Sequence, residues 1–152
     1  MKEVEEKLLK DEKALLPGSE VKWFQFSEPK KEILRTFPNP RPGAVYEVTI
    51  ETDEVTALCP LTGHPDFYYV KVSYVPGEVC VESKSVKFYF GAFRNYHGFI
   101  ETIANKVADD FIEVLKPRKL YVYIRMKPRG GIPITVEREY VERLSAEEYS
   151  EK

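Results

Sequence analysis

The chain has 152 residues, of which 43% are hydrophobic and 32% are charged, and its formal net charge is −2 at pH 7. This length favours a single domain with a substantial core, and the charge argues against non-specific nucleic-acid binding as the main role. No apolar run is long enough to span a bilayer, and the start "MKEVEEKLLKDEK" is too charged for a signal peptide. Two cysteines, Cys59 and Cys80, do not make a disulfide framework. We therefore expect a soluble cytoplasmic protein with no membrane partner.

The first half of the sequence predicts one helix and two strands. Apolar residues at helical spacing over 3–16 predict a short amphipathic helix that ends at Pro17-Gly18. The prolines between residues 29 and 42 predict an irregular stretch. Apolar and polar residues alternate over 44–52 and again over 66–75, which predicts two half-buried strands joined by a loop that contains Cys59.

The second half predicts helices followed by two strands. Residues 85–95 fit a strand and a helix equally well, whereas 99–116 shows the apolar spacing of a helix that Pro117 stops. Residues 119–126 and 132–141 predict two further strands joined across Gly130-Gly131. We expect three parts: an N-terminal helix and proline-rich extension (1–36), a single folded domain (37–143) and a polar tail (144–152).

The loop "LCPLTGHPDF" places a thiol and a carboxyl, Cys59 and Asp66, seven residues apart in a stretch rich in proline and glycine. A cysteine attacks as its thiolate, which needs a positive or hydrogen-bonding neighbour. The charge of Asp66 opposes thiolate formation, so Asp66 is better suited to donate a proton to whatever Cys59 attacks. The alternative is a buried structural cysteine beside an aspartate that caps a strand, which is common.

The segment "VESKSVKFYF" combines one acid with two lysines. Lys84 and Lys87 are three residues apart, which on a helix places them on one face, and paired lysines suit an anionic ligand such as a phosphate. Glu82 suits the amine or amidine edge of a heterocycle. A solvated charge run on an amphipathic helix explains the same residues.

Two later segments each have a plain structural alternative. Glu101 lies in the first turn of a predicted helix, where the helix dipole favours a carboxylate. In "KPRGGIPI", Arg129 is a candidate anion contact, although a hairpin turn alone explains the glycines. The four soft metal ligands, two cysteines and two histidines, lack paired spacing, so we predict no metal site. No Rossmann or P-loop motif is present.

Taken together, these segments resemble the QueF family of NADPH-dependent 7-cyano-7-deazaguanine reductases. "LCPLTGHPDF" is similar to the family's cysteine loop, and "ESKSVKFYF" resembles its signature E-[SL]-K-[SA]-x-K-[LY]-[YFW], with Phe88 in place of Leu or Tyr. "FRN" followed by Glu101, and then "PRGGIPI", come in the same order. The resemblance covers residues 37–134.

The resemblance implies an α+β protein with the tunnelling fold, in which the order β-β-α-α-β-β gives an antiparallel sheet with helices on one face. Residues 85–95 would then form a helix. It also implies a homo-oligomeric barrel of two face-to-face pentamers, with active sites at subunit interfaces. The length suggests the short, single-module form.

The resemblance further implies a covalent reaction on 7-cyano-7-deazaguanine, a small-molecule substrate, in queuosine tRNA modification without direct nucleic-acid contact. Cys59 would attack the nitrile carbon to give a thioimide, Asp66 would supply the proton, and two NADPH would reduce the adduct to 7-aminomethyl-7-deazaguanine. The implied substrate-binding residues are Val81, Glu82, Ser83, Ile100 and Glu101. The implied NADPH-binding residues are Lys84, Lys87 and Arg129.

One position departs from the family. A histidine usually precedes the glutamate, and here that position is Ile100. His97 would substitute if it lay on the same helix face. Whether Cys80 pairs with Cys59 on oxidation is left open by the sequence.

Three alternatives share the fold. An archaeosine-type amidinotransferase acts on the nitrile in tRNA but lacks the lysine-bearing signature, so "ESKSVKFY" favours the reductase. A zinc cyclohydrolase acting on GTP is disfavoured by the scarcity of histidine and cysteine. A non-catalytic purine- or pterin-binding protein would leave Cys59 without a role.

Overall fold

The structure is a computed structural model, and it describes Glu3 and residues 28–143. The predicted helix over 3–16, apart from Glu3, and the predicted tail lie outside the described residues. The division of the chain at residue 36 therefore stays a prediction.

The described residues form six strands: β1 (Thr36–Pro38), β2 (Val48–Leu58), β3 (Pro65–Val75), β4 (Val79–Val81), β5 (Lys119–Arg129) and β6 (Ile132–Val141). A four-stranded antiparallel sheet in the order β2-β3-β5-β6 organises the fold. A separate pair of short antiparallel strands, β1 and β4, was not predicted from the sequence.

Two helices lie between β4 and β5. Helix α1 (Ser83–Gly91) continues into a 3-10 turn (Ala92–Asn95), and α2 (Ile100–Leu115) follows. The ambiguous segment 85–95 is therefore helical. The apolar side of α2 lies in the same buried cluster as the inward side chains of β3 and β5. The predicted α+β class and the main element order are confirmed. None of the helices among the described residues is long and apolar enough for a membrane span.

An aromatic cluster holds α1 against α2. The Tyr89 ring packs edge-on against Phe93 and Phe111, with centroids 5.4 and 5.8 Å away. The Tyr89 hydroxyl donates to Asp110 Oδ2 over 2.7 Å, and Lys106 Nζ lies 3.1 Å from the same oxygen. The buried Asp110 carboxylate and Tyr89 hydroxyl are therefore hydrogen-bond partners between the two helices.

A bulge divides β2 into two halves. Thr52 pairs with Val70 and Val55 pairs with Tyr68, so β2 carries one more residue than β3 between these pairs. Before the bulge the inward positions are even-numbered, and after it Val55 and Ala57 are buried. A bulge re-aims the side chains that follow it. Cys59 continues the new phase and is buried as well.

A second bulge lies in β5, near the same end of the sheet. Met126 pairs with Ile134 and Arg129 pairs with Ile132, so β5 carries one extra residue. Up to Met126, the even-numbered residues of β5 face the core. After the bulge, Arg129 takes that face. The predicted strands ended at residues 52 and 126 because the alternation stops at each bulge, and the observed strands run on to Leu58 and Arg129.

The buried hydrogen bond between the helices gives a stability prediction. Tyr89→Phe removes the hydroxyl that Asp110 accepts while keeping the ring packing. A hydrogen bond to a charged group contributes about 1.5–3 kcal/mol, so the free energy of unfolding should fall by about that amount. Urea denaturation measures this change. Unchanged stability would show that the bond contributes nothing to the fold.

Candidate active site

The Cys59 loop is closed by strand pairing and by its own backbone. Leu58 pairs with Pro65 across the ends of β2 and β3. Within the loop, the Cys59 amide donates to the His64 carbonyl and the Gly63 amide donates to the Cys59 carbonyl, each over 2.8 Å. Gly63 has φ +68°, a left-handed conformation that glycine adopts without steric cost. The loop therefore presents Cys59 at a fixed position.

Hydrogen bonds to the sulfur activate the thiol. The Thr62 hydroxyl, the Thr62 and Leu61 backbone amides and the Arg129 guanidinium lower the pKa of Cys59 to about 7, against a smaller opposing effect of burial. At neutral pH a larger fraction of Cys59 is then thiolate than the few per cent of an ordinary cysteine of pKa about 8.5. Cys59 is thus prepared to act as a nucleophile.

Arg129 connects the thiol with the carboxyl. Its Nη1 donates to Asp66 Oδ1 in an ion pair, and its Nη2 lies 3.9 Å from Cys59 Sγ. The turn after Arg129 contains Gly130 and Gly131, at φ +60° and +77°, as the predicted hairpin requires. The guanidinium offsets the negative charge of Asp66 beside the sulfur. It therefore reduces the charge repulsion between the Asp66 carboxylate and a Cys59 thiolate.

The segment before α2 is tied to the same loop. The Leu58 amide donates to the Tyr96 carbonyl over 2.8 Å, and the Gly98 amide donates to the Leu58 carbonyl over 3.2 Å. A Cβ at Gly98 would lie 2.7 Å from the Tyr96 ring, so this close approach requires glycine. These two hydrogen bonds of Leu58 fix the start of α2, where Glu101 lies exposed in the first turn.

His97 does not meet the condition under which it would replace the missing histidine. It lies in the isolated bridge with Leu58, before α2 begins at Ile100, and so it is not on the helix. Ile100 is 3% exposed and belongs to the core. Cys80 is buried in β4 with the Tyr46 hydroxyl 3.6 Å from its sulfur, and both cysteines are free thiols.

The predicted substrate residues of the ESK segment lie where β4 ends and α1 begins. Val81 is buried at the end of β4, and Ser83 is exposed at the first helical position. Glu82 is the N-cap of α1: its carboxylate accepts the amides of Lys84 over 2.6 Å and Ser85 over 2.9 Å. Glu82 therefore has a structural role, which leaves its remaining lone pairs for a ligand.

Lys84 and Lys87 are exposed on α1 and line two grooves that Phe88 separates. Lys84 borders a groove of about 530 Å³ that Lys30 and Arg35 also line. Lys87 borders a groove of about 550 Å³ between β2 and α1. Within residues 28–143, neither lysine forms an ion pair. Carboxylates line both grooves as well: Glu32 and Glu82 in the groove of Lys84, and Glu51 and Glu54 in the groove of Lys87.

The structure joins some predicted site residues and leaves others apart. Cys59, Asp66 and Arg129 form one cluster, so Arg129 lies with the thiol and not with the two lysines. Among the described residues, no hydrogen bond or ion pair links this cluster to residues 81–87. The sequence reasoning missed Thr62, whose only signal was a hydroxyl three residues after Cys59 in a tight loop. The described part of the chain contains no group of three or more metal-ligating side chains.

Comparisons with known proteins show the family of the chain. A sequence model of the family described as "QueF-like protein" matches residues 65–145. Two similar curated proteins are both named NADPH-dependent 7-cyano-7-deazaguanine reductase. The one from Anaeromyxobacter sp. (strain K) is 43% identical over 77% of this chain and 95% of its own length. The one from Chlorobium chlorochromatii (strain CaD3) is 47% identical over 73% of this chain and 96% of its own.

A solved structure shares the fold. The apo form of the archaeosine synthase QueF-Like aligns with a TM-score of 0.59 and 18% identity, over 64% of this chain and 96% of that one. This likeness supports the tunnelling fold alone. From the family match and the curated relatives, the chain belongs to the QueF-like protein family.

Proposed function

We propose that this protein is an NADPH-dependent 7-cyano-7-deazaguanine reductase, which converts the nitrile to the primary amine of 7-aminomethyl-7-deazaguanine in queuosine synthesis. The observation that carries the proposal is the contact of one guanidinium, Arg129, with both the Cys59 thiol and the Asp66 carboxylate. The names of the curated relatives support the same activity.

Cys59 starts the reaction. Its thiolate adds to the nitrile carbon, so a C–S bond forms and one C–N π bond breaks. The π electron pair passes to the nitrogen, and Asp66, which has taken the proton that left the Cys59 thiol, passes that proton to the nitrogen to give the thioimide. Arg129 then holds the carboxylate that remains. A nitrile is a poor hydride acceptor, and covalent addition makes its carbon a better one.

The residues that would hold NADPH lie on α1. When bound, NADPH supplies the two hydride equivalents that the conversion of the thioimide to the amine requires. Lys84 and Lys87, which form no ion pair with a described carboxylate, would bind its phosphates. Arg129 also remains a candidate for this role, because its side chain is 47% exposed at the edge of the thiol site.

The protein would act as a homo-oligomer, in two face-to-face pentamers. The outer strands of the sheet, β2 and β6, each leave one edge without a partner strand among the described residues, and such edges pair readily with another chain. The cluster of Cys59, Asp66 and Arg129 shares no hydrogen bond or ion pair with residues 81–87 within the described chain, which also supports a site that a neighbouring copy completes. Because the proposed substrate is a free small molecule, the enzyme would need no direct nucleic-acid contact.

The main competing function is the amidinotransferase reaction of archaeosine synthesis, and the structural neighbour is named an archaeosine synthase. That likeness carries the fold alone, at 18% identity. The two exposed lysines favour the reductase, because a transferase that consumes no NADPH has no need of them.

The proposed function is tested by the nucleophile. Cys59→Ala should abolish both the thioimide absorbance band that forms with 7-cyano-7-deazaguanine and the oxidation of NADPH, because no other group supplies the attacking sulfur. Cys80→Ala is the matched control and should retain both. A Cys59→Ala protein that still reduces the nitrile would overturn the mechanism.

The lowered pKa of Cys59 predicts the pH dependence of its reactivity. In a Cys80→Ala background, alkylation by iodoacetamide should accelerate with rising pH around a midpoint near 7, since only the thiolate reacts. Thr62→Val removes the largest cause of the lowered pKa and should move the midpoint upward. A midpoint near 8.5 in both proteins would show that the loop does not activate the thiol.

The proton donor is tested by amide replacement. Asp66→Asn keeps the side-chain shape but removes the titratable proton, so turnover should fall by about 10²–10⁴, the usual contribution of a general acid. Substrate binding should change much less. Asp53→Asn, at an exposed position of β2, serves as the control. Normal turnover of Asp66→Asn across the pH range would assign Asp66 a purely structural role.

The proposed binding of NADPH by the two lysines of α1 is tested by removing their charges. Lys84→Met and Lys87→Met keep most of the stem and remove the charge. At least one should raise the KM for NADPH about tenfold or more, because a charge-assisted phosphate contact is lost. Thioimide formation, which precedes hydride transfer, should persist, and Lys119→Met should behave like the parent. Two parent-like variants would remove the lysines from the cofactor site and favour the transferase.

A further inference from the structure

The hydroxyl of Tyr68 is buried without a hydrogen-bond partner. Among the described residues, it is the one buried side-chain nitrogen or oxygen in this situation. The other large buried tyrosines are satisfied: the Tyr74 hydroxyl accepts the Val81 amide over 3.0 Å, and the Tyr89 hydroxyl donates to Asp110. An unpartnered buried hydroxyl destabilises a fold, and phenylalanine would fill the same space without that cost. Packing and stability therefore do not explain why this residue is tyrosine and not phenylalanine.

Tyr68 lies on β3, the strand that carries Asp66, between β2, which leads to Cys59, and β5, which carries Arg129. It is two residues after Asp66 on β3, so both side chains project from the same face, and both are buried. Across the sheet, Tyr68 pairs with Val55 on one side and with Met126 on the other. These two residues border the two bulges that turn Cys59 and Arg129 inward.

The charged groups of the site act on the Tyr68 hydroxyl. Burial, followed by the nearby Asp66 carboxylate, raises the pKa of Tyr68, and Arg129, Cys59 and Glu101 also act on it through their charges. The hydroxyl therefore keeps its proton at neutral pH and is available as a donor. A donor that lacks an acceptor in the free protein gains one when an acceptor enters the site.

We propose that Tyr68 is a further catalytic residue, whose hydroxyl donates a hydrogen bond to the substrate nitrogen while Cys59 adds to the neighbouring carbon. This inference rests on the proposed function. As the C–S bond forms, the broken π pair accumulates on that nitrogen, and Asp66 supplies its proton. Tyr68 transfers no proton and stabilises the developing charge, as donors in oxyanion holes do.

Access to Tyr68 follows from access to Cys59. Cys59 and Asp66 are themselves only 4% and 6% exposed, and the half-exposed Arg129 side chain contacts both. A substrate that bonds to the Cys59 sulfur must therefore enter beside Arg129 and Asp66. Tyr68 follows Asp66 on the same face of β3.

Three measurements on Tyr68→Phe test the proposal. With 7-cyano-7-deazaguanine and no NADPH, thioimide formation should slow by about 10²–10³, the usual loss for one such donor. The thermal midpoint should equal or exceed that of the parent, because an unsatisfied hydroxyl is removed. The pH midpoint for iodoacetamide alkylation of Cys59 should not move, because Tyr68 makes no hydrogen bond to the sulfur. The control Tyr89→Phe should show the opposite pattern: lower stability and parent-like thioimide formation.

Each other result counts against the proposal. If Tyr68→Phe forms the thioimide within about twofold of the parent rate, the hydroxyl has no catalytic role. If its slower reaction comes with a lower thermal midpoint or a shifted alkylation profile, Tyr68 acts on the fold or the thiol and not on the substrate. If the parent itself forms no thioimide, the proposed function fails and this inference fails with it. The parent measurement thus separates the two failures.

Discussion

Two single-residue bulges decide which side chains reach the site. A strand's side chains alternate between faces, so a shift of one residue moves every following side chain to the opposite face. The bulge in β2 moves Cys59 to the core face, and the bulge in β5 does the same for Arg129. Asp66 reaches that face by the ordinary alternation of β3. Without the bulges, Cys59 and Arg129 would project from the outer face, away from Asp66.

The cluster that results balances its own charges. A thiolate beside a carboxylate is unfavourable, and Arg129 contacts both groups. The loop adds hydrogen bonds from Thr62 and from two backbone amides, which bring the pKa of Cys59 to about 7. A cation that interacts with both groups lets one small site hold a nucleophile and a proton donor together. The alternative interpretation of Cys59 as a buried structural cysteine explains neither the hydrogen bonds to its sulfur nor its lowered pKa.

The sequence predicted the architecture better than the site's geometry. Amphipathic spacing identified α2 and alternation identified the four long strands, because those patterns report burial directly. The alternation breaks at a bulge, so the strand predictions stopped at residues 52 and 126 and gave no sign that Cys59 and Arg129 face inward. The short strands β1 and β4 carry too few residues for a pattern. Arg129 was predicted to meet the cofactor, whereas its contacts with Asp66 and Cys59 depend on the pairing of distant strands.

The sequence also did not identify Tyr68 as a candidate site residue. In an alternating strand, a tyrosine at an inward position is expected in the core for its ring, and only the packed structure shows that its hydroxyl lacks a partner. Glu82 shows the converse: its sequence context suggested a ligand contact, and the structure adds a helix-capping role.

The central claim is that Cys59 forms a covalent bond to the nitrile substrate inside this cluster. Intact-protein mass spectrometry after mixing with 7-cyano-7-deazaguanine, without NADPH, tests it most directly. Because addition to a nitrile expels no leaving group, the account predicts a mass increase of one whole substrate per chain, located by peptide mapping on Cys59. An unmodified chain, or an adduct located on Cys80, would contradict the account.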